Sequence, residues 1–291
     1  MSKPKILLQL DADAQPSVFD AVVAVDSGVD QLLRHGGVTT ASIRDLVHGA
    51  MFTRGPDELH CTAVFIGGSN VAAAEQLLAK ARKCFFGPMR VSVMLDASGA
   101  NTTAAAAVVA AGRHIPLNNC RALVLAATGP VGQRAARLLA GQGAHVRVAS
   151  RSLARAAEVC QAISASLPDA KLTPLAVADE DSLAAALEGV ALVVAAGAAG
   201  AALLPASHRR SAASLQVAID LNAVAPAGIE GVEAMDKAAL KGGVVCYGAV
   251  GVGGTKMKIH KAAIQRLFQS NDQVLDADEI YAIAAQLESQ R

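Results

Sequence analysis

The chain has 291 residues, is 53% hydrophobic but only 3% aromatic, and holds 25 glycines and no tryptophan, enough to bury one large core or two smaller ones. Its 26 basic and 25 acidic residues nearly cancel, which excludes the cationic footprint of a nucleic-acid binder, and its wealth of Val, Leu, Ile and Ala excludes disorder. The cysteines Cys61, Cys84, Cys120, Cys160 and Cys246 are odd in number and far apart, so no metal is expected and the thiols read as reduced, as in a cytoplasmic protein.

Residues 6–10 run straight into Asp11 and Asp13 and are too short an apolar stretch for a secretion signal. Continuous apolar runs predict strands at 5–10, 61–66 and 91–95, covered on both faces as in a parallel sheet. Between the last two, residues 69–84 predict a helix with Ser69 as its cap, a stripe of Val71, Ala74, Leu78 and Ala81, and Gly87 beyond its end. These elements make a small α/β domain, residues 1–98. An alanine-rich connecting helix is predicted over 101–111, followed by strands at 122–126, 145–149, 172–177, 190–195, 216–221 and 244–247. Six strands with helices between them predict a Rossmann-type, doubly wound parallel nucleotide-binding domain over 99–275. The uncharged run 189–207 has the length of a membrane span, but Gly189, Gly197, Gly200 and Pro205 divide it into a buried strand and a loop, and no membrane partner is expected. Asp276 and Glu279 read as a capping box for a helix at 276–289, whose stripe of Ile280, Ile283, Ala284 and Leu287 packs back on the first domain.

The segment from Ala122 to Leu139 carries the most chemistry. A strand enters a tight turn, Thr128-Gly129-Pro130-Val131-Gly132, and leaves as a helix, so backbone N–H groups and the positive helix end face a pyrophosphate. Gly129 allows the backbone to approach the phosphates, Gly132 allows the helix to pack on the strand, and Ala127 stands where the usual fingerprint has its first glycine. After the next strand, an NAD site places an acidic residue on the ribose hydroxyls; this chain instead offers Ser150, Arg151, Ser152 and Arg155. Hydroxyls and guanidinium groups suit a 2′-phosphate, so NADP is the first choice and NAD the second. The competing reading makes Ser152 a plain helix cap and leaves Arg151 solvated.

No acid–base or nucleophile set is legible: the seven histidines are scattered and no GxSxG or HExxH motif occurs. The glycine-rich segment Gly248 to Lys258 suggests instead a loop in which Gly251 and Gly253 bring the backbone to the cofactor and Lys256 supplies a point charge.

Five segments together carry a resemblance: Asp11 to Asp20, Phe85-Phe-Gly-Pro88 with Met94-Leu-Asp96, Gly99-Ala-Asn-Thr-Thr103, Thr128 to Gly132, and Gly248 to His260. With Asp220-Leu-Asn-Ala223 they span nearly the whole chain, which resembles the NAD(P)-dependent methylene-tetrahydromethanopterin dehydrogenases of bacterial one-carbon metabolism. The resemblance implies a pterin lying between the two domains and a hydride passing from methylene-tetrahydromethanopterin to NADP, and it implies trimeric or hexameric assembly. Lys256 then matches the family's active-site lysine and Thr102 a threonine of the pterin cleft. Like charges repel, so Lys256 is assigned to a polar handle of the substrate and not to the cation formed.

Asp20, whose carboxylate can accept paired hydrogen bonds from an aminopyrimidine edge, joins Ser98 and Asn101 on the pterin side. Ser98 stands where the family pattern can have Asn. Asp220 and Asn222 are placed toward the nicotinamide. For each of these the bland alternatives are a solvated lysine (Lys256), a helix-start residue (Thr102), an exposed helix face (Asp20), and turn duty (Asp220 and Asn222). A bifunctional methylene-tetrahydrofolate dehydrogenase needs Tyr-x-x-x-Lys for its cyclohydrolase step, but Tyr247 is followed by Gly251 and Tyr281 by Ala285, so no cyclohydrolase activity is expected. The remaining alternatives are a methylene-tetrahydrofolate dehydrogenase without that step and a non-catalytic NADPH-binding regulator.

Overall fold

The structure, a computed structural model, describes residues 3–290. In chain order the elements are β1 (Ile6–Asp11), α1 (Val18–Asp26), β2 (Gln31–His35), α2 (Ile43–Met51), β3 (Thr62–Gly67), α3 (Val71–Arg82), β4 (Ser92–Leu95) and α4 (Ala100–Gly112). There follow β5 (Arg121–Leu125), α5 (Pro130–Gly141), β6 (His145–Ser150), α6 (Leu153–Ser164), β7 (Lys171–Ala176), α7 (Glu180–Leu187), β8 (Leu192–Ala195), α8 (Ala206–Ser211) and β9 (Val217–Asp220). The chain ends with β10 (Lys237–Lys241), β11 (Val244–Tyr247), α9 (Ala249–Arg266), β12 (Val274–Leu275) and α10 (Ala277–Ser289). It divides into two compact units, Met1–Thr102 with Met257–Arg291, and Thr103–Lys256.

The first unit is built on a five-stranded sheet in the order β12-β4-β3-β1-β2, every neighbouring pair being parallel. Its central strand β3 is buried at every residue, as a parallel strand covered on both faces must be. Helices cover it with Val47, Met51, Leu77, Ala81, Ile280 and Ile283, each large side chain contributing roughly 1.5–3 kcal/mol on burial. Edge strand β2, Gln-Leu-Leu-Arg-His, escapes sequence reading because it is mostly exposed and shows no apolar run. The cap of α3 is Asn70, whose Oδ1 accepts Ala73 N–H at 3.0 Å; Ser69, expected in that role, gives its hydroxyl to Asp13.

Residues 257–275, expected with the nucleotide-binding domain, belong to this first unit. The C-terminal half of α9 brings the buried Ile259, His260, Ala263, Ile264 and Leu267, Lys261 bonds Asp26 at 2.8 Å, and β12 pairs with β4. Helix α10 is part of the same unit: Asp276 and Glu279 form its capping box, and Asn101 Nδ2 donates to Asp276 Oδ1 at 2.9 Å.

The second unit holds a seven-stranded sheet, β10-β11-β9-β8-β5-β6-β7, parallel except for the edge pair β10–β11. The six parallel strands taken in chain order give the 3-2-1-4-5-6 arrangement of a doubly wound nucleotide-binding fold. Leu123, Leu125, Val193, Ala218, Leu187 and Ile229 pack in one core on this sheet. Among the described residues no helix is long and apolar enough to cross a membrane, and the run 189–207 yields buried β8 and the start of α8. All five cysteines are buried and free.

Candidate functional site

Strand β5 is the switch point of the second sheet, flanked by β6 and β8, and ligands of such sheets lie at the carboxyl ends of the strands there. The chain leaves β5 through Ala126 in the left-handed region (φ +53°); Ala127 then donates its N–H to Ala149 at 2.9 Å. Thus the turn falls on Ala126, one residue before the position that the fingerprint gives to glycine. Gly129 caps α5 with extended backbone and no side chain caps the helix, so its first N–H groups face outward beside Thr128, Pro130 and Val131. A methyl group on Gly132 would stand 2.8 Å from Ala127 Cα, so glycine there lets α5 rest on the turn that leaves β5.

Beside this turn opens a cavity of about 600 Å³ whose walls include Thr128, Ser150, Arg151, Arg155, Val177 and Leu203. Four of the expected cofactor residues therefore converge. Ser150 Oγ accepts the Ser152 N–H at 3.3 Å, and Ser152 caps α6 through the Arg155 N–H, so Ser152 has its structural duty. Arg151 and Arg155 are exposed, and among the described residues neither guanidinium makes a hydrogen bond or ion pair. Of the two acidic wall residues, Asp179 and Glu180, Asp179 is turned onto α7: its Oδ1 accepts the Ser182 N–H at 2.8 Å, and the Ser182 hydrogen bonds hold its carboxyl below the usual range. The cavity thus combines unpaired cations with an apolar wall, a fit for a nucleotide bearing an extra phosphate.

Asp220 and Asn222 do not face this cavity as cofactor ligands. Asp220 is buried, with Oδ1 accepting Asn222 N–H at 3.0 Å and Oδ2 accepting Ile229 N–H at 2.9 Å; burial nonetheless pushes its carboxyl above the usual range. Asn222 spends its side chain on Pro226 O and Val224 N–H. Together they brace the 222–229 turn, the alternative duty that turn chemistry gives Asp and Asn.

The expected glycine-rich loop is instead the first half of α9. Gly251 has no room to serve a ligand, since a methyl there would sit 1.7 Å from Asp236 O; its missing side chain lets α9 rest on the 234–237 backbone. Gly253 meets nothing within 4 Å. Lys256 lies half-buried in the same helix.

In the first unit, carboxylates gather where β1 and β3 end. Gly67 lies under Asp11 and Asp20, whose Oδ2 atoms are 3.2 and 3.6 Å from its open Cβ position, and Asp13 holds Ser69 through N–H and hydroxyl. Asp20 sits in the first turn of α1, capped by Ser17, and Ser17 N–H is held by Asp11 at 3.1 Å. Asp11 is buried, with Oδ1 lacking a partner, and burial followed by the Asp13 charge raises its carboxyl above the usual range.

Beyond β4, Ser98 is exposed and left-handed (φ +54°), a conformation that Asn tolerates better. Asn101 and Thr102 are buried at 1% and 0% exposure. Asn101 Nδ2 donates to Leu95 O at 2.6 Å, and Thr102 Oγ1 donates to Asp96 Oδ2 at 2.6 Å. Neither side chain reaches a cleft surface; they anchor the start of α4. Asp96, buried, also accepts both their backbone N–H groups at 3.0 Å. His260 Nδ1 stands 4.0 Å from the same carboxylate, its ring stacked on Phe65 at 5.7 Å. Asp11, Asp96 and His260 lie in segments that carry the resemblance but receive no role from sequence, and Ala126 is not singled out at all, although Asp11 ends β1 and Asp96 follows β4, the positions at which parallel sheets present functional groups.

The likeness to known proteins agrees with this architecture. A family model described as methylene-tetrahydromethanopterin dehydrogenase, N-terminal, matches residues 18–98. The bifunctional protein MdtA of Methylorubrum extorquens is 44% identical over 99% of this chain and 100% of its own length. The NAD(P)-dependent methylenetetrahydromethanopterin dehydrogenase of the same organism is 29% identical, covering 93% of this chain and 94% of that one. Among solved structures, quinate dehydrogenase from Corynebacterium glutamicum in complex with NAD aligns over 99% of this chain and 100% of its own with a TM-score of 0.53 at 16% identity. A ligand-free 5-ketofructose reductase of Gluconobacter covers 98% and 99% with a TM-score of 0.50 at 14% identity; at such identities the two structures speak for the fold. Sequence likeness that runs the length of the chain, joined to the family model on its first unit, makes it a member of the NAD(P)-dependent methylene-tetrahydromethanopterin dehydrogenase family.

Proposed function

We propose that the chain oxidises methylene-tetrahydromethanopterin to the methenyl cation with NADP as the hydride acceptor. The observation that carries the reaction is the near-full-length likeness to a methylenetetrahydromethanopterin dehydrogenase; the choice of NADP is supported by the two unpaired guanidinium groups at the nucleotide cavity. In this reading the α5 N-terminus and Gly129 hold the pyrophosphate, while Ser150, Arg151 and Arg155 hold the 2′-phosphate. NADP supplies the electron-deficient ring that takes the hydride.

The substrate carbon that gives up the hydride is flanked by two nitrogens, and the cation it leaves is delocalised over both, so no proton has to be moved. That chemistry accounts for a site without a general acid or base. What the chain contributes is alignment and exclusion of water that would attack the methenyl product. Lys256 is assigned to a polar handle of the pterin and Asp20 to its aminopyrimidine edge. Ser98 stays on the pterin side as an exposed residue, and Asn101 and Thr102 act from beneath by fixing the start of α4. The reaction stops at the methenyl product, the Tyr-x-x-x-Lys pair of cyclohydrolases being missing, and the chain works as a homo-oligomer in the cytoplasm.

Turnover of each pterin, methylene-tetrahydromethanopterin and methylene-tetrahydrofolate, with each nucleotide tests the reading. Reduction of NADP by the first pterin is expected, and binding without turnover would sink it in favour of a nucleotide-sensing regulator. Arg151→Ala with Arg155→Ala should raise the KM for NADP at least tenfold, about the loss of one charge-assisted hydrogen bond, while leaving that for NAD unchanged.

A further inference from the structure

Helix α3 ends in a run of cations, Lys80, Arg82 and Lys83, and the chain then makes a tight hairpin. Phe86 and Met89 exchange both backbone hydrogen bonds, at 3.2 and 3.1 Å, across Gly87, which is left-handed at φ +55°. The hairpin is clamped from the loop before β12: Asn271 Nδ2 donates to Pro88 O at 3.0 Å and Arg90 O at 3.2 Å, and Arg90 Nη2 donates to Asp272 O at 3.2 Å. Within this frame lies a cavity of about 240 Å³, lined by Arg82, Phe85, Phe86, Gly87, Arg90 and Val274. It stands where α3 ends and β4 begins, the opposite end of the sheet from Asp11, Asp20 and Asp96, and the proposed reaction gives it no part.

Cations at a helix C-terminus need no ligand to explain them, since they complement the helix dipole. Arg90 is not one of them. Its guanidinium is held over the Phe85 ring at 5.7 Å, and its Nε is buried with no hydrogen-bond partner. A buried donor left open in an otherwise clamped side chain is one that an acceptor from outside the chain can satisfy. Among the described residues Arg82 makes no hydrogen bond or ion pair, and no carboxylate pairs with Arg90. Asp272, whose carboxyl is held low chiefly by Ser270 and in smaller part by Arg90, spends its Oδ1 on Ser270 and Gln273.

We propose that the Arg82–Arg90 cavity binds a doubly charged oxyanion of the phosphate class. Two guanidinium forks on one small cavity match a dianion better than a single carboxylate, and the Phe85 ring beneath Arg90 reduces the local dielectric that would otherwise screen the pair. The occupant is inorganic phosphate or the terminal phosphate of a small metabolite.

Equilibrium dialysis of the full chain against labelled inorganic phosphate tests this, repeated with NADP present to separate the cavity from the phosphate turn at Thr128–Gly132. Saturable binding near one phosphate per chain is expected with NADP present, with a dissociation constant on the order of 1 mM or tighter. Arg82→Gln, a change at an exposed residue that leaves the fold intact, should weaken it about tenfold or more, with pterin turnover unchanged; Arg90→Lys should weaken it as well. Acetate should not compete at equal concentration. Absence of saturable binding, binding indifferent to Arg82→Gln, or equal competition by acetate would each overturn the assignment. A phosphorylated metabolite that displaces labelled phosphate from the wild type and not from Arg82→Gln would identify the second source.

Discussion

Ala126 holds a left-handed backbone at the exit from β5, where an L-residue costs roughly 1–2 kcal/mol. Ala127 next to it is fully buried with its N–H bonded to Ala149. Glycine at 126 should therefore stabilise the chain by about 0.5–1 kcal/mol, the strain relieved less the entropy of a freer unfolded chain. Glycine at 127, which would restore the sequence fingerprint, should destabilise it by about 1–2 kcal/mol through a lost buried methyl and that same entropy. Denaturant midpoints of the two variants decide between the positions. The fingerprint was legible as a motif, but which residue bends was not, because φ depends on where β5 stops pairing. Asp11 makes a second residue-scale prediction. Its carboxyl is raised above the ordinary aspartate range by burial, so the folded state favours the protonated form. The stabilisation is full below the unfolded value and is lost as pH rises through the raised one. Asp11→Asn, which keeps an acceptor for Ser17, should flatten stability between the ordinary aspartate pKa and neutrality; an unchanged slope across that window would refute the assignment.

At the scale of elements, α9 shows how composition misleads. Four glycines between 248 and 254 read as a loop, yet from Ala249 onward the chain is helical. Helix propensity is a weak local term, about 1 kcal/mol per glycine, and here close packing overrides it. Gly251→Ala should cost about 1–3 kcal/mol, because its methyl would collide with the Asp236 carbonyl. Gly253→Ala, facing open space within a helix, should gain about 0.5–1 kcal/mol. Thermal unfolding of the pair separates a helix from a loop, in which both changes would be near neutral. The strands with continuous apolar runs were readable, as were the α10 capping box and the α4 connector. Strand β2 was not, being a mostly exposed edge, nor was β12, whose two residues are given meaning only by pairing with β4. The site followed the same division: Thr128, Ser150, Arg151 and Arg155 are adjacent to a readable turn and do meet. The inward placement of Asn101 and Thr102 depended on Asp96, a contact that no local pattern announces.

For the molecule as a whole, the chain leaves its first unit within α4 and re-enters it within α9, so that unit is closed by residues distant in sequence. The sequence suggested two α/β bodies because strand and helix alternate twice, but it placed the return after residue 275, where the capping box of α10 begins, and the contacts place it at Met257. Hydrogen exchange followed by mass spectrometry should find peptides from 257–290 opening together with β1, β3 and β4, and peptides from β9 and β11 opening separately. Joint opening of 257–290 with β9 and β11 would argue against the division. The buried thiols extend this to a measurement that needs no engineering. Burial raises the Cys84, Cys120, Cys160 and Cys246 thiols above their ordinary range, so the reactive thiolate is scarce while the chain is folded. Cys61 and Cys84 lie in one unit and Cys120, Cys160 and Cys246 in the other. An alkylating reagent present during gentle denaturation would then stamp each molecule with two or three adducts according to which body has come apart, and the intact mass would record the order of their collapse.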